Sequence, residues 1–71
     1  MSVEVLCPMP STVMQILVKV GDTVREDDEL MILEAMKMEV PVCAPGGGCV
    51  REIRVQEKDA AGANQVLIIL E

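Results

Sequence analysis

Lys37 stands between two methionines in the run Glu34-Ala35-Met36-Lys37-Met38-Glu39. A lysine amine on its four-carbon stem is a nucleophile that can be acylated, and the amide formed carries no charge. In a turn, lysine is ordinarily just a solvated charge. Apolar neighbours set Lys37 apart, because exposed turns favour Gly, Asn, Asp and Ser. The rest of the chain offers no rival chemistry. It holds no His, Phe, Tyr or Trp, so the usual general base near neutral pH and the commonest metal ligand are both missing. Cys7, Cys43 and Cys49 form an odd set without Cys-x-x-Cys spacing, and a zinc site would need a fourth ligand. They read as small buried apolar residues in a reducing compartment. Gly46-Gly47-Gly48 is followed by no helix start, so it reads as a flexible turn rather than a phosphate loop. No catalytic residue and no metal site are expected.

Composition narrows the classes further. A chain of 71 residues is bounded to one domain with a thin core, burying roughly 60% of the surface its unfolded chain exposes. A formal net charge of -6 argues against nucleic acid and anionic membrane surfaces, which need a basic patch, and base stacking has no aromatic platform. The acidity reads as solubility, or as steering towards basic partner surfaces. No apolar run reaches the roughly 20 residues that cross a bilayer, so no direct membrane insertion is expected. Met1-Ser2-Val3-Glu4 is no signal-peptide start, and a cytoplasmic location is the default expectation.

The elements that must position Lys37 emerge from an internal repeat. At a constant offset of 37, residues 3–34 and 40–71 agree without a gap at eleven of 32 positions, from Val3/Val40 to Glu34/Glu71. Within each half the period is that of strands. Ile16, Val18 and Val20 alternate with Gln15, Leu17 and Lys19, and Ile53 and Val55 alternate with Glu52 and Arg54. The runs Leu30–Leu33 and Val66–Leu70 predict more buried strands. Turns are expected at Pro8–Ser11, Gly21-Asp22, Arg25–Glu29, Pro45–Gly48 and Ala61–Asn64. About four short strands per half leave no room for a βαβ unit, and no segment has a capped helical period. Two such halves predict a flattened barrel or sandwich with an approximate two-fold axis. The connection 35–39, which occurs only once, is then a tight hairpin tip with Lys37 at its centre.

At these residues the chain resembles the biotinyl domains of biotin-dependent carboxylases and decarboxylases, of the biotin/lipoyl attachment family. Ala35-Met36-Lys37-Met38 looks like that family's attachment signature. Cys7-Pro8-Met9-Pro10 and Val18-Lys19-Val20-Gly21-Asp22-Thr23-Val24 support the match, which covers essentially the whole chain. The resemblance implies an all-β flattened barrel of two four-stranded antiparallel sheets, of the thumbless type because the ungapped repeat leaves no room for an inserted segment. Residues 1–71 are read as one carrier domain with repeat halves 3–34 and 40–71. The resemblance further implies covalent biotin on Lys37, attached by a biotin protein ligase, with Met36 and Met38 as recognition flanks. Its partners would be biotin carboxylase and carboxyltransferase components, or a decarboxylase, between which a carboxyl group is shuttled. The domain itself would be no enzyme.

Alternatives stay open at this stage. Met36 and Met38 could pack onto their own hairpin, and Glu34 and Glu39 read as solvated strand-end charges rather than ligase contacts. A lipoyl-type acyl carrier is the nearest rival, although that family's lysine usually follows Asp and precedes Ala. An unmodified β interaction module is the rival from another class. Ser11 stands where the family commonly carries Gly. Lys58 and Ala60 replace the first half's Gly21 and Thr23, which leaves the local turn geometry as a question for the structure.

Overall fold

Short Val-, Ile- and Leu-rich segments separated by turn residues fold, among the described residues, as eight strands and no helix. The computed structural model describes residues 2–71. Its strands are β1 (Val3–Leu6), β2 (Ser11–Ile16), β3 (Thr23–Val24), β4 (Glu29–Ala35), β5 (Met38–Cys43), β6 (Gly48–Ile53), β7 (Ala60–Ala61) and β8 (Val66–Leu70). Two four-stranded antiparallel sheets result, ordered β1-β8-β6-β3 and β5-β4-β2-β7. Exchanging each strand with its counterpart four places on converts one order into the other. The offset of 37 in the sequence is therefore a two-fold relation in the fold.

Backbone detail repeats at the same offset. Register shifts fall between Val13 and Gln15 in β2 and between Val50 and Glu52 in β6. Gly21 N–H donates to Val50 O at 2.8 Å, and Lys58 N–H to Val13 O at 2.7 Å. The carboxylate of Asp22 accepts from Lys19 N–H at 3.0 Å, and that of Asp59 from Gln56 N–H at 2.9 Å. The one Asp shared by both halves thus closes the same turn twice, a role that its identity across the repeat could have signalled. Gly21 and Lys58 both hold left-handed φ angles, 98° and 77°, and so do Asp27 and Asn64, 72° and 65°. The substitution of Lys58 for glycine leaves the turn intact.

The core is aliphatic throughout. Val13, Leu30, Met31, Leu33, Leu67 and Ile68 are fully buried between the sheets, and no polar side chain joins them among the described residues. Leu30 and Leu67 occupy equivalent places beside register shifts and both turn inward. Pro41 lacks an N–H and is tolerated because β5 is an edge strand.

Two expectations need correction. The alternation through Val18 and Val20 does not mark a strand, for β2 starts at Ser11 and ends at Ile16; β6 likewise ends at Ile53, before Val55. Leu17 N–H and Arg54 N–H still donate to Leu30 O and Leu67 O, and the chain then leaves the ladder for its turn. Val18 and Val55 pack against or within the core from outside a strand. The alternation reports burial there, not pairing. Only one cysteine, Cys7, is buried; Cys43 and Cys49 are exposed. Each adjoins an inward residue, Val42 or Val50, so strand alternation turns the thiol outward.

Candidate functional site

β4 and β5 form one continuous hairpin whose last pairs are Glu34↔Glu39 and Ala35↔Met38. Only Met36 and Lys37 remain to make the turn, with φ angles of 52° and 65°. A two-residue loop with both φ angles positive is a type I′ turn, whose twist matches that of the strands it joins. Such turns prefer Asn-Gly, because a side chain in the left-handed region costs about 1–2 kcal/mol. Met-Lys occupies it here without that relief. Ala35 is buried at the foot of the turn and anchors it, while Lys37 is exposed.

Met36 is 90% exposed and Met38 68%, so neither packs on its own hairpin. Glu34 and Glu39 sit opposite one another and are both exposed. Like charges so placed repel, and they leave the base of the tip acidic. The ion pairs among the described residues, Arg51–Glu71 at 3.4 Å and Arg54–Glu52 at 2.8 Å, do not involve Lys37. The structure therefore brings Met36, Lys37 and Met38 together on one rigid projection. Register places the β1–β2 loop at the same end of the molecule, since Thr12 pairs with Glu34. Val3 and Leu70 lie at the opposite end, where they pair.

Neither of two surface concavities reaches the tip. A groove of about 330 Å³ runs between β1 and β5, and a smaller concavity of about 140 Å³ adjoins Pro45–Gly47; Lys37 lines neither. Among the described residues, no three His, Cys, Asp or Glu side chains converge as a metal site would require. What the tip offers is a primary amine on a long stem, outside the ion pairs among the described residues and open to acylation by an outside agent. Such an amine fits a group held through a carboxyl.

Comparison with known proteins agrees with this geometry. The sequence profile of the family described as "Biotin-requiring enzyme", the biotin/lipoyl attachment family, matches residues 3–70. A biotin carboxyl carrier protein of Streptococcus mutans is 48% identical over 63 residues, 89% of this chain and 48% of that protein. A biotin/lipoyl attachment protein of Bacillus subtilis is 37% identical over 62 residues, 87% of this chain and 85% of the relative. The crystal structure of Kluyveromyces lactis urea carboxylase superposes with a TM-score of 0.94 at 25% identity, over the whole of this chain and 6% of that one. The chain belongs to the biotin/lipoyl attachment family, as a domain of the biotinyl type. It spans about half the length of the Streptococcus carrier protein and small parts of the large carboxylases it matches.

Proposed function

We propose that this chain is a non-catalytic biotin carboxyl carrier, holding biotin in amide linkage to Nζ of Lys37. The observation that carries the reading is the tip. A lysine flanked by exposed methionines occupies the one turn that the two-fold repeat does not duplicate. The relatives support it, being named for biotin carriage or for carboxylases. A biotin protein ligase joins the biotin carboxyl to the amine with loss of water. Biotin carboxylase and carboxyltransferase components, or a decarboxylase, are the partners.

Biotin supplies the group on which the carboxyl travels; this chain's own residues supply reach and direction. The lysine stem extends the arm from a rigid β turn, so the tethered group meets partner sites at high effective concentration. Amide formation removes an ammonium charge, so the arm enters an apolar pocket without that desolvation cost. Exposed Met36 and Met38 are flexible, polarizable surfaces suited to successive partners.

Co-expression with a biotin protein ligase tests the assignment. The intact mass should rise by biotin less one water, and Lys37→Arg should abolish the gain, because guanidinium stays protonated and does not attack. A lipoyl mass on the natural protein, or biotin on the arginine variant, would overturn it. The purified chain alone should turn over no carboxyl-transfer substrate.

A further inference from the structure

The methionines break the symmetry of the fold. Met9, Met14 and Met31 have Gly46, Arg51 and Ile68 as their repeat counterparts, so the second half contains none. Met36 and Met38 stand in the unduplicated connection. Exposure then ranks these five of the six methionines: Met36 90%, Met38 68%, Met14 46%, Met9 40% and Met31 0%. The two most exposed methionines in this set are those on either side of Lys37. The type I′ turn fixes the backbone of Met36 and the pair Ala35↔Met38 fixes that of Met38, so neither can retreat into the core.

We infer that the tip is an oxidation site, a redox-sensitive element whose modification uncouples Lys37 from the enzymes that read it. A hydroperoxide transfers its distal oxygen to the thioether sulfur of Met36 or Met38. The sulfur loses two electrons, the O–O bond breaks, and the peroxide leaves as water or the corresponding alcohol. The product is a sulfoxide, polar and chiral where the parent was apolar. Reactivity follows accessibility, which puts Met36 first, Met38 second and Met31 last. The fold is indifferent to the change, because the two side chains bury little of themselves. Recognition is not, because a sulfoxide carried into a partner's apolar surface must lose its water. That consequence rests on the carrier reading, whereas the order of oxidation does not.

The test uses the unmodified chain, treated with hydrogen peroxide and then with dithiothreitol, which restores the exposed Cys43 and Cys49 thiols from reversible oxidation but leaves sulfoxides. Peptide mapping should find sulfoxide at Met36 and Met38 before Met14, with Met31 unreacted. Biotinylation by a bacterial biotin protein ligase should then slow about tenfold, the change expected when one apolar side chain loses its burial at an interface. Methionine sulfoxide reductases of both stereochemical types should restore the rate. A Met36→Leu/Met38→Leu chain, whatever its own starting rate, should keep that rate after peroxide. Oxidation of Met14 ahead of the tip, or undiminished labelling of the doubly oxidised chain, would overturn the inference. If the untreated chain takes up no biotin, the carrier reading fails instead, and the oxidation order is judged by mapping alone.

Discussion

Two kinds of turn in this molecule ask the backbone for left-handed residues, and they meet the demand differently. The turns at Gly21 and Lys58 exist twice, and each is closed by an aspartate that accepts from the backbone three residues earlier, Asp22 for Lys19 and Asp59 for Gln56. Asp27 and Asn64 likewise repeat, beside the bonds from Arg25 N–H to Asp28 and from Gly62 N–H to Gln65. At the hairpin tip, Met36 and Lys37 are left-handed in succession, and the turn occurs once. The duplicated turns are solutions to closing a barrel. The tip retains a cost of about 1–2 kcal/mol per residue that Asn-Gly would avoid. Lys58 bears such strain as well; what sets the tip apart is two left-handed residues in succession, at the turn that the repeat does not duplicate.

The contrast can be broken most forcefully in the core. If the halves are equivalent, Leu30→Ala and Leu67→Ala should each cost about 2–5 kcal/mol in chemical denaturation and agree within roughly 1 kcal/mol, since both side chains are fully buried. A large disparity would mean that the repeat is a surface likeness only. Smaller effects sharpen the comparison at the turns. Asp22→Ala and Asp59→Ala should each cost about 1 kcal/mol, the net worth of one hydrogen bond. Lys58→Gly should gain about 0.5–1 kcal/mol, because relief of the left-handed side chain exceeds the added freedom of the unfolded chain. Met36→Asn should gain about 0.5 kcal/mol, the part of the left-handed cost that asparagine relieves, and equality with the parent melting temperature would show that the tip is not strained.

Much of this was legible beforehand for a particular reason. Duplication prints each structural requirement twice, so Val13/Val50, Leu30/Leu67 and Asp22/Asp59 reported the fold through their agreement. The unduplicated Lys37 stood out by the same logic. What misled was alternation read without pairing partners: Val18 and Val55 carry the strand period yet lie past the ends of β2 and β6. Burial and hydrogen bonding part company where a chain leaves its sheet. The cysteines misled through their average character as buried residues, although the neighbouring Val42 and Val50 already fixed which way Cys43 and Cys49 must face. Left-handed φ at Lys58 had no local sign, since lysine gives none; only its repeat counterpart Gly21 pointed to it.

The central claim is that the repeat serves to hold one amine at one place and in one direction. Exchanging Met36 with Lys37 tests it most directly. Composition and charge are kept, and stability should stay within about 0.5 kcal/mol because both side chains are exposed. The amine, however, moves from the second turn residue to the first and leaves the hairpin on a different heading. The rate of biotinylation by a biotin protein ligase should fall about 100-fold, as misplacement of a reacting group predicts. Labelling of the exchanged chain at the parent rate would contradict the account, for the ligase would then be reading a local run of residues and not the position that the fold supplies.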